Sequence, residues 1–172
     1  MTIRECVQAD FEAMVEVIND SAQAYRGVIP ADCWHDPYMS AEELRQEMKD
    51  GVTFRCMEQD AGIIGVMGFQ DKGEVALIRH AYVSAPCRGR SVGTKLLKHI
   101  EAVVRQPILI GTWAAATWAV SFYEKNGYTR VAERQKNELL RKYWSISDRQ
   151  IDASVVLADG KWIAAQVPRH RR

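Results

Sequence analysis

The sequence predicts a mixed α/β fold, a mostly antiparallel sheet of six to seven strands flanked by helices on both faces. Three observations carry this. The apolar period switches repeatedly along the chain, from helical spacing to alternation and back. Three strand-like runs in the middle are joined by turns short enough only for antiparallel pairing. A strand–helix–strand crossover then follows, which requires a parallel step and makes the sheet mixed. At 172 residues the chain suits one domain with a real core, and a single domain over 1–172 is expected.

In chain order, Thr2 to Cys6 is a short first strand. Phe11, Met14, Val15, Ile18, Ala22 and Tyr25 recur at helical spacing behind Asp10, an expected N-cap, and Gly27 and Pro30 end that helix. Ala31 to Met39 reads as an aromatic-rich loop or broken helix. Ser40-Ala41-Glu42-Glu43 is a capping-box signature for a second helix with Leu44 and Met48 turned inward, stopped by Gly51. Val52 to Cys56, Ile63 to Phe69 and Val75 to Val83 are the three strands of the meander, joined at Asp60-Ala61-Gly62 and Asp71-Lys72-Gly73. Val92, Leu96, Leu97, Ile100, Val103 and Val104 mark a third helix, and Ile108 to Ile110 a buried strand. Trp118 to Lys125 is a fourth helix with Gly127 at C′. Tyr128 to Val131 and Ser154 to Leu157 close the sheet around a helical insertion near 134–146, and a basic tail ends the chain at 169–172.

Composition narrows the function classes. A hydrophobic share of 47%, a charged share of 26% and a net charge of +1 give no global field for nucleic acid or an anionic membrane. The tail Arg169-His170-Arg171-Arg172 is read as a solvated end, so neither nucleic acid nor membrane is an expected partner. The four cysteines, Cys6, Cys33, Cys56 and Cys87, lack CxxC spacing, which argues against a zinc site and a disulfide framework, and no metal is expected. No stretch reads as a signal peptide or membrane helix, and a cytoplasmic location is the expectation.

The chemistry concentrates in Cys87-Arg88-Gly89-Arg90-Ser91-Val92-Gly93-Thr94, which joins a strand to an amphipathic helix. Glycines and a serine at a helix start let backbone approach a ligand, the first-turn amides are unpaired, and the dipole favours an anion. Arg88 and Arg90 add charge-assisted donors for phosphate oxygens. This is an anion cradle suited to a diphosphate; a helix start with solvated arginines is the plainer alternative. A P-loop would need Gly-Lys-Ser/Thr here, and a Rossmann fingerprint would need Gly-x-Gly-x-x-Gly near the chain start; neither occurs.

The run Tyr82 to Gly93 resembles the pyrophosphate-binding motif of the GNAT superfamily, Gln/Arg-x-x-Gly-x-Gly/Ala, with Arg88 and Gly93 on the first and last positions. Ser91 stands where the family usually has glycine, a mild departure if that residue needs no positive φ, and Pro86 sits one place later than usual. Ala119-Val120-Ser121-Phe122-Tyr123-Glu124-Lys125-Asn126-Gly127-Tyr128 is similar to the family's A-x-x-F-Y-E-K-x-G-F segment, with Ala116 where an asparagine is frequent.

The resemblance implies a GNAT-like fold and acetyl transfer from acetyl-CoA to the primary amine of a small molecule. It implies that the cofactor lies on Ala81, Tyr82, Val83, Arg88, Gly89, Arg90, Ser91, Val92, Gly93, Thr94, Thr117 and Phe122. Tyr123 falls on the family's general acid, which protonates the departing thiolate. Tyr25, Arg26, Trp34 and Arg79 are the residues implied for the acceptor, with Arg79 suiting an acceptor carboxylate or else pairing with Glu74 or Glu58. Alternation along the strand puts His80 on the other face from Arg79, unless a bulge re-aims it, so the general base stays open. A non-catalytic acetyl-CoA sensor or scaffold, a protein or peptide acetyltransferase, an unrelated binding module and a homodimer stay open as well.

Overall fold

Seven strands and seven α-helices form among the described residues of the computed structural model, 1–60 and 62–167. The basic tail expected at 169–172 lies outside them, as does Ala61 of the first hairpin turn. The chain divides into two compact units: Met1–Asp71 with Ile78–Arg105, and Lys72–Leu77 with the chain from Gln106 on.

In the first unit, β1 (Thr2–Glu5), β2 (Val52–Gln59), β3 (Gly62–Asp71) and, from Ile78 on, β4 (Ala76–Val83) lie in the order β1-β2-β3-β4, as the meander predicts. β1 and β2 pair antiparallel with Arg4 opposite Cys56. β2 and β3 pair antiparallel with Phe54 opposite Gly68, and the register slips near Met57 and Glu58. Helix α1 (Phe11–Ala22) buries Phe11, Met14 and Ile18 against Phe54, Cys56 and Val66. On the opposite side of β3, a Cβ on Gly65 would come within 2.8 Å of Val92 and 3.3 Å of Leu96 of helix α3 (Val92–Val103). Neighbouring residues Gly65 and Val66 therefore face different helices, which puts helices on both faces of this part of the sheet. Glycine at 65 is what lets α3 approach so closely.

Helix α2 (Ala41–Lys49) has the predicted capping box: the Glu43 amide donates to Ser40 Oγ at 3.1 Å, and the Ser40 amide to Glu43 Oε2 at 2.7 Å. Leu44 is fully buried, a burial that stabilises by about 1.5–3 kcal/mol. Asp10 corrects an expectation, because its side chain does not cap α1. Its carboxylate instead accepts from the Val7 amide at 2.7 Å and from Arg4 at 2.7 and 2.9 Å, closing the single turn that precedes the helix.

The second unit holds β5 (Ile108–Trp113), β6 (Thr129–Arg130) and β7 (Ser154–Ala158) in the order β5-β7-β6, with both pairs antiparallel. Helix α4 (Thr117–Lys125) ends as predicted, with Gly127 at φ +90°. The insertion is α5 (Glu133–Tyr143), where Leu140 packs against Val75, Leu109 and Val156. Lys136 is buried there, but Nζ is satisfied by Glu133 at 2.6 Å and the Ile151 carbonyl at 3.0 Å. Two short helices were not anticipated, α6 (Asp148–Asp152) and α7 (Gly160–Gln166). Ser147 and Asp159 cap them through the amides of Gln150 and Trp162. Their signals were single cap residues ahead of runs too short to show a helical period.

Candidate functional site

In the first unit, a one-turn helix at Ala85–Cys87 leads from β4 into the Arg88–Thr94 segment. Gly89 takes φ +75° and Ser91 φ +60°, so the chain reverses twice before α3 begins. The left-handed serine overturns the proviso under which it replaced glycine, since an L-residue there carries about 1–2 kcal/mol of backbone strain. Ser91 makes no side-chain cap, and the first rung beyond it is the Lys95 amide to the Ser91 carbonyl at 3.0 Å. The amides of Val92, Gly93 and Thr94 therefore stand ahead of the helical ladder at its positive end, a cradle for an anion.

Arg88 and Arg90 are both exposed beside this turn. Arg88 Nη2 donates to the Ser21 carbonyl at 3.0 Å, tying the loop to the end of α1, and Arg90 Nη1 lies 3.9 Å from Cys87 Sγ. A guanidinium has five N–H groups, so these contacts leave donors for phosphate oxygens.

The acceptor candidates of this unit fall into an aromatic group. The Tyr25 ring meets Tyr82 edge-on at 6.3 Å and Tyr38 at 5.5 Å, and Trp34 stacks on Tyr38 at 5.6 Å. Asn19 holds this loop by bonding both the Met39 amide, at 2.9 Å, and its carbonyl, at 2.8 Å. Burial pushes the Tyr25 phenol well above its ordinary range, with Tyr38 adding to the rise and Arg88 opposing it. Arg26 is exposed after a turn ending at Tyr25.

Neither carboxylate expected to pair with Arg79 does so: Glu58 meets Arg4 at 3.1 Å, and Glu74 meets Lys142 at 2.6 Å. Arg79 reaches Glu47 of α2 at 2.7 Å and the Gln70 amide oxygen at 3.0 Å. An acceptor carboxylate would share this guanidinium with Glu47. His80 has φ +52°, and its Nε2 lies 3.1 Å from the same Glu47 carboxylate. Adjacent residues of a regular strand point to opposite faces; the left-handed turn at His80 is the re-aiming that brings both to one side chain. Burial pushes the Glu47 carboxyl up, but His80 and Arg79 together hold it below the usual carboxylate range. Glu47 was missed from sequence. Its signal was a carboxylate at i+3 from Leu44 and next to Met48, on the inward stripe of α2.

In the second unit, Thr117 opens α4 and is exposed, Phe122 is half-buried and Tyr123 is buried. The Tyr123 ring packs edge-on against Phe122 at 5.0 Å and Tyr128 at 6.0 Å, and the Tyr128 amide donates to its carbonyl at 3.1 Å.

The cysteines also differ from expectation. Pairing of β1 with β2 brings the thiols of Cys6 and Cys56 and the Asp10 carboxylate within 4.8 Å of one another. Burial pushes both thiols up, and the Asp10 carboxylate accepts from Arg4. No helix among the described residues is long and apolar enough to cross a membrane.

The chain belongs to the GNAT family: the family model described as acetyltransferase (GNAT) domain matches residues 14–142. No curated protein matches it by sequence. Among solved structures it is similar to the PaiA N-acetyltransferase of Thermoplasma acidophilum in complex with coenzyme A, at 18% identity and TM-score 0.69, covering 92% of this chain and 97% of that one. It is also similar to N-acetylglutamate synthase from Neisseria gonorrhoeae complexed with coenzyme A and N-acetyl-glutamate, at 18% identity and TM-score 0.65, over 92% of this chain and 34% of that one. A third is the ribosomal-protein-S18-alanine N-acetyltransferase of Escherichia coli, at 14% identity and TM-score 0.63, covering 92% of each chain.

Proposed function

We propose that this protein is an acetyl-CoA-dependent N-acetyltransferase acting on the primary amine of a small molecule. The observation that carries the reading is the uncapped start of α3, where two left-handed residues, Gly89 and Ser91, present the first-turn amides to an anion. GNAT family membership supports the diphosphate of the cosubstrate as that anion, and two structural neighbours were solved with coenzyme A.

In this reading Val92, Gly93 and Thr94 bind the diphosphate through backbone, and Arg88 and Arg90 add charge. The backbone of Ala81 to Val83 runs beside the thioester and polarises its carbonyl. The neutral amine attacks the carbonyl carbon, the C–N bond forms, the C–S bond breaks, and the thiolate leaves with a proton. The family motif assigns that proton to Tyr123. The aromatic group of Tyr25, Trp34 and Tyr38 shapes the acceptor side.

The test is a calorimetric titration with acetyl-CoA, paired with thiol release against a panel of amines. Gly93→Asp puts bulk and negative charge at the cradle, and it is expected to abolish cofactor binding while the fold persists by circular dichroism. Undiminished affinity in that variant would remove the cradle from the mechanism. Binding without thiol release for any amine would favour a sensor domain instead.

A further inference from the structure

Proton removal from the acceptor is the step that no motif in the chain assigns. A primary alkylamine is an ammonium ion at neutral pH, with no lone pair for attack, so a base must act first. We infer that His80 is the general base that takes this proton, and that Glu47 is the residue that positions it. The inference rests on the acetyltransferase reading and adds the missing half of its proton chemistry.

Four features of the first unit converge on this imidazole. His80 has φ +52° inside β4, a conformation that strands do not otherwise use. A backbone outlier that packing must hold in place gathers at functional sites more than elsewhere. The seat for it is built: a Cβ on Gly68 would come within 2.9 Å of the Arg79 carbonyl and 3.0 Å of the Phe54 ring, so glycine at 68 makes room for the bulge. The imidazole stacks on Phe54 at 6.1 Å with 24° between the planes, which fixes the ring's tilt. Finally, the side chain is only 14% exposed, and buried Nε2 has no hydrogen-bond partner among the described residues. Glu47 Oε2 lies 3.1 Å away, a contact that becomes an ion pair when the imidazole is protonated. A buried polar nitrogen left in this way costs stability unless a ligand or water completes it.

The charged groups facing His80 are Glu47 from α2 and Arg79 beside it on β4, while β2 contributes the Phe54 ring and β3 the neutral Gln70 bonded to Arg79. The Glu47 carboxylate favours the imidazolium that forms when the proton is taken, and it offsets the repulsion from Arg79. The step balances simply. Neutral His80 accepts one proton from R–NH3+, directly or through one water, and leaves R–NH2, whose lone pair attacks the thioester carbon. Imidazolium then returns its proton to solvent, and the proton that nitrogen sheds as the amide forms replaces the one given to the departing thiolate.

The experiment compares two nucleophiles in wild type and in His80→Asn, chosen because asparagine tolerates the left-handed backbone. One is the most rapidly acetylated of propylamine, tyramine, spermidine and glutamate, all protonated at pH 7. The other is hydroxylamine, already neutral there. For the alkylamine, kcat/KM is expected to fall about 10²-fold in His80→Asn. Hydroxylamine turnover should fall far less, and the calorimetric affinity for acetyl-CoA should persist. In Glu47→Gln alkylamine kcat/KM should fall more than hydroxylamine turnover, because the carboxylate that positions the imidazole is gone. Equal losses on both nucleophiles, or an unaltered alkylamine kcat/KM in His80→Asn, would overturn the inference. So would a wild type that acetylates hydroxylamine and none of the protonated amines. A wild type that does not bind acetyl-CoA would instead overturn the acetyltransferase reading, a failure separable by the calorimetry alone.

Discussion

Among the described residues, three other than glycine adopt positive φ, Asp60, His80 and Ser91, and two of them fall within the candidate site. Ser91 is the plainer case. Its hydroxyl makes no cap, so only the backbone conformation is used, and glycine would adopt that at less cost. Ser91→Gly is therefore expected to stabilise the fold by about 1 kcal/mol, read from the denaturation midpoint, with acetyl-CoA affinity retained. A loss of stability would mean that the hydroxyl has a role the backbone does not explain. For Tyr123→Phe, cofactor affinity should persist while turnover falls by about 10² to 10⁴, since only the departing thiolate needs the phenol proton. Wild-type turnover, where chemistry limits the rate, would exclude Tyr123 as the acid. Tyr123, Arg88 and Gly93 were proposed from the sequence because each lies in a local motif whose chemistry depends on neighbours in the chain. Glu47 was not, because its partners lie 32 and 33 positions away.

Among the elements, helix α2 and the meander were readable almost to their ends, since a capping box and alternating apolar residues are local signals. The bulge in β4 was not. A strand pattern assigns faces by counting residues in twos, and one left-handed residue shifts the count from there on. Gly68 is where that deviation can be tested. Its absent side chain accommodates the Arg79 carbonyl, a backbone atom that cannot swing aside as a side chain could. Gly68→Ala is expected to destabilise by about 1–3 kcal/mol, measured by chemical denaturation. It should also depress kcat more than acetyl-CoA affinity, because it pushes on Arg79 and His80 rather than on the cradle. A variant as stable as wild type would show that the β4 backbone yields freely.

For the molecule as a whole, ligand linkage gives the broadest check. Acetyl-CoA at 100-fold over its Kd should add about 2.7 kcal/mol, or roughly 5–10 °C in Tm for a chain of this size, and Gly93→Asp should remove the shift. No shift in the wild type would contradict the proposed cosubstrate. By itself the sequence determined the mixed α/β class, the order of the main elements, the turn ahead of α3 and the family, because periodicity, caps and contiguous motifs are written in neighbouring residues. Tertiary structure alone decided the partners. Pairing of β1 with β2 put Cys6 beside Cys56, α2 delivered Glu47 to Arg79 and His80, and the room left at Gly68 accommodated the turned strand. Those contacts join residues far apart in the chain, and their geometry depends on packing distances and backbone angles that no local pattern of residue types records.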